Sequence, residues 1–286
     1  MIVIVIVIVI VIVIVIVIVI VIVLMRRFIP FIKQHPLVPV ITLSGTISTG
    51  RRGLNDARLA PVIEKAFRMK PTCVALIVNS PGGSPVQSSL IAARIRRLAE
   101  GSNVPVHTFV EDVAASGGYW LACAGDKIWA DRSSIVGSIG VIASSFGFSQ
   151  LMERQGIERR VVTAGKSKSF ADPFLPQKPE DIERIRAIQA PIHESFIAHV
   201  KARRGSCLVD GDLFNADIWV GEQAVKMGLV DGIAHLVPKM KELYGQNVKL
   251  VDLGPKQGVF GRFGVNFADE ALHALEDRTA FARFGL

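Results

Sequence analysis

Isoleucine and valine alternate without a break from Ile2 to Val23, and Met1 and Leu24 extend the run to 24 apolar positions. As a helix, 22 such residues rise about 33 Å at ~1.5 Å each, which matches a hydrocarbon layer of ~30 Å. The tract therefore predicts a single-pass N-terminal membrane anchor. The same β-prone, uncharged run is an aggregation hazard in water. No basic segment precedes it and no small-residue cleavage site follows, so it does not read as a removable secretory signal. A strict two-residue repeat is also low complexity, and Met25-Arg26-Arg27 offers a second start, from which the chain is cytoplasmic or peripheral. Arg26, Arg27 and Lys33 follow the tract, and positive charge beside a span favours the cytoplasmic side.

Beyond Pro30 the pattern changes to short β-branched runs alternating with helical periodicity. Val38 to Leu43 reads as a strand, and Leu59, Val62, Ile63, Ala66 and Phe67 then share one helical face. Cys73 to Val78 is continuously apolar, as expected of a strand buried on both faces. After Asn79-Ser80-Pro81-Gly82-Gly83, Ser84 stands as an N-cap, Pro85 at the first helical position and Gln87 as the partner of a capping box. Leu90, Ile91, Ile95 and Leu98 form the stripe of that helix. Val104 to Val110 predicts a further strand, Ala114 to Ala124 a turn and apolar helix, and Ile139 to Ala143 and Arg160 to Thr163 extended chain. Pro179 to Arg204 predicts a long helix with Ile182, Ile185, Ile188, Ile192, Phe196 and Val200 inward. Strand, turn, helix and strand in alternation predict an α/β fold. The divisions are an anchor or low-complexity segment at 1–25, a basic connector at 26–36, one domain at 37–251, and a tail at 252–286 with an amphipathic helix over Ala268 to Arg283.

Composition adjusts this picture in two places. Half of the 286 residues are hydrophobic, but without the first 24 positions the fraction falls to about 45%, the ordinary value for a soluble, core-forming body. The 33 basic against 25 acidic residues give a net charge of +8. That charge is scattered in small groups with no aromatic nucleic-acid motif or zinc-finger spacing beside them, so it reads as a solvated surface rather than a nucleic-acid site. Cys73, Cys123 and Cys207 are odd in number and widely spaced, which points to buried free thiols rather than disulfides or a metal site.

The candidate chemistry lies in two glycine-rich turns at the ends of buried strands, where open α/β sheets bind ligands. Ser116, in Ala114-Ala115-Ser116-Gly117-Gly118, stands on a tight strand-to-helix turn beside the Gly117 N–H. Gly82 and Gly83 lack a Cβ and can bring a second N–H close, completing an oxyanion hole. A serine needs a base. His107, with Asp112 nearby, sits mid-strand and reads as structural. The remaining candidates are Lys166 and Lys168 in Ala164-Gly165-Lys166-Ser167-Lys168-Ser169-Phe170. A lysine acts as a base only when neutral, which requires a desolvated site that lowers its ordinary value of ~10.4 to ~7–8. Gly165-Lys166-Ser167 also imitates the end of a phosphate-binding loop, but Arg160 stands where that signature requires glycine.

Asn79-Ser80-Pro81-Gly82-Gly83, Val113 to Tyr119, Val136-Gly137-Ser138-Ile139-Gly140-Val141, the Gly165 to Lys168 turn and Gly221 to Asp231 occur in the order seen in the signal peptide peptidase A (protease IV) family. The chain resembles the short form of that family over roughly residues 37–245. The resemblance implies a ClpP/crotonase-like fold and a membrane-associated, homo-oligomeric serine endopeptidase without metal or cofactor, acting on apolar signal-peptide remnants. It matches Ser116 to the nucleophile, Lys168 to the general base and Ser138 to the serine that orients the lysine. Gly82 or Gly83 with Gly117 then supply the oxyanion donors. The rivals are an inactive membrane scaffold of the same fold and a crotonase-like acyl-CoA enzyme. The latter usually employs carboxylates, which the neutral run Ser84 to Leu90 lacks.

Overall fold

The computed structural model describes residues 10–21, 35–50, 53–165, 168–254, 275 and 277–286. The chain divides into two units, Met1–His35 and Pro36–Leu286. In the first, residues 10–21 are helical (α1), with each Ile and Val side chain about half exposed. Among the described residues no helix is long and apolar enough to cross a membrane. Arg26, Arg27, Lys33 and Lys166 lie outside the described residues.

The second unit is built on an eight-stranded mixed sheet. β1 (Leu37–Ser44), β2 (Val74–Ser80) and β3 (Val106–Ala115) run parallel and adjacent, and β8 (Lys249–Asp252) continues the sheet beyond β1. The outer edge of β3 is shared: β4 (Lys127–Ala130) pairs along its first half and β5 (Ile135–Gly137) along its last residues. β6 (Ile218–Val220) runs antiparallel to β5, and β7 (Gly232–Ile233) parallel to β4.

Alternation along the strands separates two cores. Ile41 and Leu43, with Val74, Leu76 and Val78, face a cluster that includes α2 (Asp56–Arg68), α3 (Pro85–Ser102), α4 (Gly117–Ala122) and the end of α6 (Pro179–Arg204). Val38, Val40, Cys73, Ala75 and Phe109 face the other way, onto Met240 of α8 (Leu236–Tyr244). His107 belongs to this second side: its Nε2 lies 3.2 Å from the Tyr244 hydroxyl, and Trp129 Nε1 donates to its Nδ1 at 3.4 Å. It is structural, as expected.

Several expectations are corrected. Gln87 does not close a box on Ser84. The Ser84 hydroxyl accepts from the Gln87 N–H, but Gln87 Oε1 accepts from the Asp56 N–H at 2.9 Å and so caps α2. The buried face of α3 is Ser88, Ile91, Ala92, Ile95 and Ala99, with Leu90 turned to solvent; small residues let α3 sit close to its neighbours. β3 runs five residues past Val110, through Glu111 and Asp112, whose polarity hid its continuation. Ile139 to Ala143 and Arg160 to Thr163 join no strand. In α6 only Phe196, Val200 and Arg204 are buried, because the helix packs against α4 through its C-terminal half. Cys207 is exposed, whereas Cys73 and Cys123 are buried.

Candidate active site

The end of β3 and the start of α4 meet at Ser116, whose backbone is held at φ 52°, ψ −123°. A non-glycine residue there is strained and persists only where its surroundings fix it. Its N–H donates to the Gly137 carbonyl at 2.8 Å, and its own carbonyl accepts from the Tyr119 and Trp120 N–H groups. Tyr119 is buried and its hydroxyl donates to the Leu229 carbonyl at 2.7 Å, anchoring α4 from below. The Ser116 side chain caps nothing and is left free at the helix start.

The second turn is fixed by the chain leaving β1. Ile47 N–H donates to the Gly82 carbonyl at 2.8 Å, and Ser84 N–H donates to the Ile47 carbonyl at 2.7 Å. This parallel bridge turns the intervening Gly83 N–H away from Ile47. Gly82 and Gly83 adopt φ 104° and 139°. A Cβ on Gly83 would lie 2.1 Å from the Ile47 carbonyl oxygen, and one on Gly82 would lie 2.8 Å from Ser116 Cβ. Only glycine satisfies both requirements, which is why this turn can lie against the serine. The Gly82 N–H donates to Ser80 Oγ at 3.3 Å. Among the described residues the Gly83 and Gly117 N–H groups have no acceptor, so they are the two donors left open beside Ser116.

A third turn completes the wall. Ser138 is held at φ 51° with its N–H on the Asp217 carbonyl at 2.7 Å, and His193 Nε2 lies 3.1 Å from the Ile139 carbonyl. Gly83, Ser116, Gly117 and Ser138 line one cavity of about 460 Å³. Its apolar side is Trp120, Val141, Ile142, Ile192 and Phe196. Trp120 is stacked between Phe196 and His199, with ring centroids 4.9 Å and 5.0 Å away. Burial pushes the His199 imidazole down to about 4, aided by the Arg203 charge and opposed by its bond to the Trp120 carbonyl. The sequence marks Ile192 and Phe196 as inward-facing and Trp120 as core or pocket wall, but their union with His199 was not legible, because they lie about 70 to 80 residues apart and only the docking of α6 unites them.

Lys168 stands elsewhere. It is exposed in the turn that closes with its N–H on the Gly165 carbonyl, and it does not line the Ser116 cavity. Among the described residues the Ser116 and Ser138 hydroxyls have no hydrogen-bond partner from the protein, and no group of acidic, histidine or cysteine side chains is arranged to hold a metal.

The sequence profile of Peptidase family S49 matches residues 99–247, more than half of the chain. The chain belongs to this peptidase family. The matched span holds Ser116, Gly117, Ser138 and Lys168. Relatives from Brucella melitensis biotype 1 and Brucella abortus, each named Na(+)/H(+) antiporter NhaA, are 45% identical over 92% of the chain. The chain spans 39% of the length of those relatives. Serine protease SPPA, chloroplastic, of Arabidopsis thaliana is 30% identical over 68% of this chain and 29% of its own. The fold is similar to that of a variant of the 1510-N membrane-bound stomatin-specific protease. That likeness has a TM-score of 0.50 at 16% identity and covers 78% of this chain and all of the other.

Proposed function

We propose that this S49 chain is a serine endopeptidase in which Ser116 attacks the peptide carbonyl and Lys168 removes its proton. The observation that carries the reading is the pairing of a strained, uncapped Ser116 with two acceptor-free N–H groups, on Gly83 and Gly117, at one apolar cavity. The developing oxyanion sits on those two donors, each of which is worth ~10²–10³ in rate in comparable sites. Gly82 shapes the turn rather than donating, since its N–H is held by Ser80. Lys168, oriented by Ser138, takes the Ser116 proton and passes it to the leaving amine, and the acyl-enzyme is then released by a water that the same amine deprotonates.

This chemistry requires the exposed arm between β5 and α6 to carry Lys168 to a cavity, in its own chain or in a neighbouring copy, which makes a homo-oligomer part of the reading. The ClpP/crotonase-like description suits the glycine-turn donors. The apolar wall suits hydrophobic peptides such as membrane-derived or signal-peptide segments, and the Ile/Val tract, helical over 10–21, supplies the membrane attachment. Against the acyl-CoA alternative, no carboxylate lines the cavity among the described residues.

Ser116→Ala tests the reading. The variant is expected to fold as the parent does and to lose hydrolysis of an apolar peptide entirely; undiminished hydrolysis by purified variant overturns the assignment.

A further inference from the structure

The Ser116 cavity has one charged side chain in its wall among the described residues, Arg283. It reaches the cavity with Phe284 from a C-terminal segment that is helical at 277–282. That segment is fastened close to the donors themselves. Asp277 Oδ1 accepts from the Thr46 N–H at 3.0 Å and from the Thr46 hydroxyl at 2.7 Å. The next residue, Ile47, is the one bonded to Gly82 and Ser84. The position of Arg283 relative to the oxyanion donors is therefore set by the same short stretch of chain. The guanidinium lies 5.9 Å from the centroid of the Phe284 ring, and among the described residues no carboxylate pairs with it. The same cavity is lined by the large apolar side chains of Trp120, Ile142, Ile192 and Phe196.

A guanidinium with no carboxylate partner among the described residues, in one cavity with an apolar wall, is complementary to a ligand that is apolar over most of its length and carries one carboxylate. We propose that Arg283 binds a carboxylate of the peptide substrate, so that peptides ending in a free carboxyl group, or carrying an acidic residue at that place, are preferred over the same apolar sequence without one. This deepens the endopeptidase reading and rests on it. A fork-shaped donor suits a planar carboxylate better than a lysine ammonium does.

The test measures binding and cleavage separately. A fluorescent Ala/Leu/Phe peptide is prepared as the free acid, as the C-terminal amide, and as an amide ending in Asp. Its Kd is measured on full-length Ser116→Ala and on Ser116→Ala with Arg283→Gln. The expected result is about tenfold tighter binding of one or both carboxylate forms than of the plain amide. That ratio should collapse toward one with Arg283→Gln and be partly kept with Arg283→Lys. Tighter binding of the free acid assigns the contact to the C-terminus, and of the Asp amide to a side chain. Equal Kd values for all three peptides, or a ratio indifferent to Arg283→Gln, overturn the proposal. A gain in affinity for every form on removing Arg283 also overturns it, since the segment would then be blocking the cavity. Hydrolysis of the same peptides by the unsubstituted chain reads the serine assignment independently: if none is cleaved, that reading fails while the Kd comparison still stands.

Discussion

At the scale of single residues, the site depends on backbone conformations that side-chain chemistry alone does not announce. Ser116 and Ser138 both hold positive φ, and in each case a neighbouring carbonyl, Gly137 or Asp217, fixes the residue through its N–H. The meeting of Ser116 with the glycine-rich turns at one candidate site was legible because such turns sit at the ends of buried strands, where α/β sheets form their clefts. The choice between Gly82 and Gly83 was not, since it depends on the bridge to Ile47, about 36 residues earlier. His199 gives a prediction at this scale. Its imidazole is neutral in the fold at about 4, whereas the unfolded chain takes up a proton near the ordinary value of ~6.5. Its contribution is complete above that ordinary value and is lost progressively as the pH falls toward 4. Urea midpoints at pH 7.5 and pH 5 should therefore fall further apart for the parent than for His199→Gln. Equal differences for the two proteins contradict the buried, neutral assignment.

At the scale of elements, the sequence carried β1, β2, α2, the start of α3 and the limits of α6, although the capping partner and the buried stripe of α3 differ from the expectation. It failed where a strand crosses polar residues, as β3 does at Glu111 and Asp112, and where a helix extends beyond its packing partner, as α6 does before the residues that meet α4. The short strands β4 to β7 gave no signal, because each is only two to four residues long and is defined by its pairing, β4 between β3 and β7 and β5 between β3 and β6. Gln87 links two elements: its side-chain oxygen satisfies the first N–H of α2 from within α3. Gln87→Ala should lower stability by about 1 kcal/mol, the usual cost of losing a helix cap, with an unchanged urea m value. No change in the midpoint would show that water replaces the cap.

At the scale of the whole chain, the body from Pro36 onward has a complete core, yet the arm between β5 and α6 is left bare. Phe146 is 80% exposed, Ile142 70% and Val162 fully exposed. Large apolar side chains left exposed on one segment are of the kind that association covers, and the same segment carries Lys168. The chain is therefore expected to sediment as a homo-oligomer, and Phe146→Asp with Val162→Asp to lower both its mass and its peptidase activity. Loss of assembly with full activity retained would show that the arm closes on its own cavity.

The central claim is a Ser116 hydroxyl activated by the amine of Lys168, and it is tested most directly by labelling with a fluorophosphonate followed by peptide mapping. The account predicts one adduct, on Ser116, abolished by Lys168→Ala and retained in Lys166→Ala. An adduct on a different residue, or labelling of Ser116 that Lys168→Ala leaves undiminished, would contradict it.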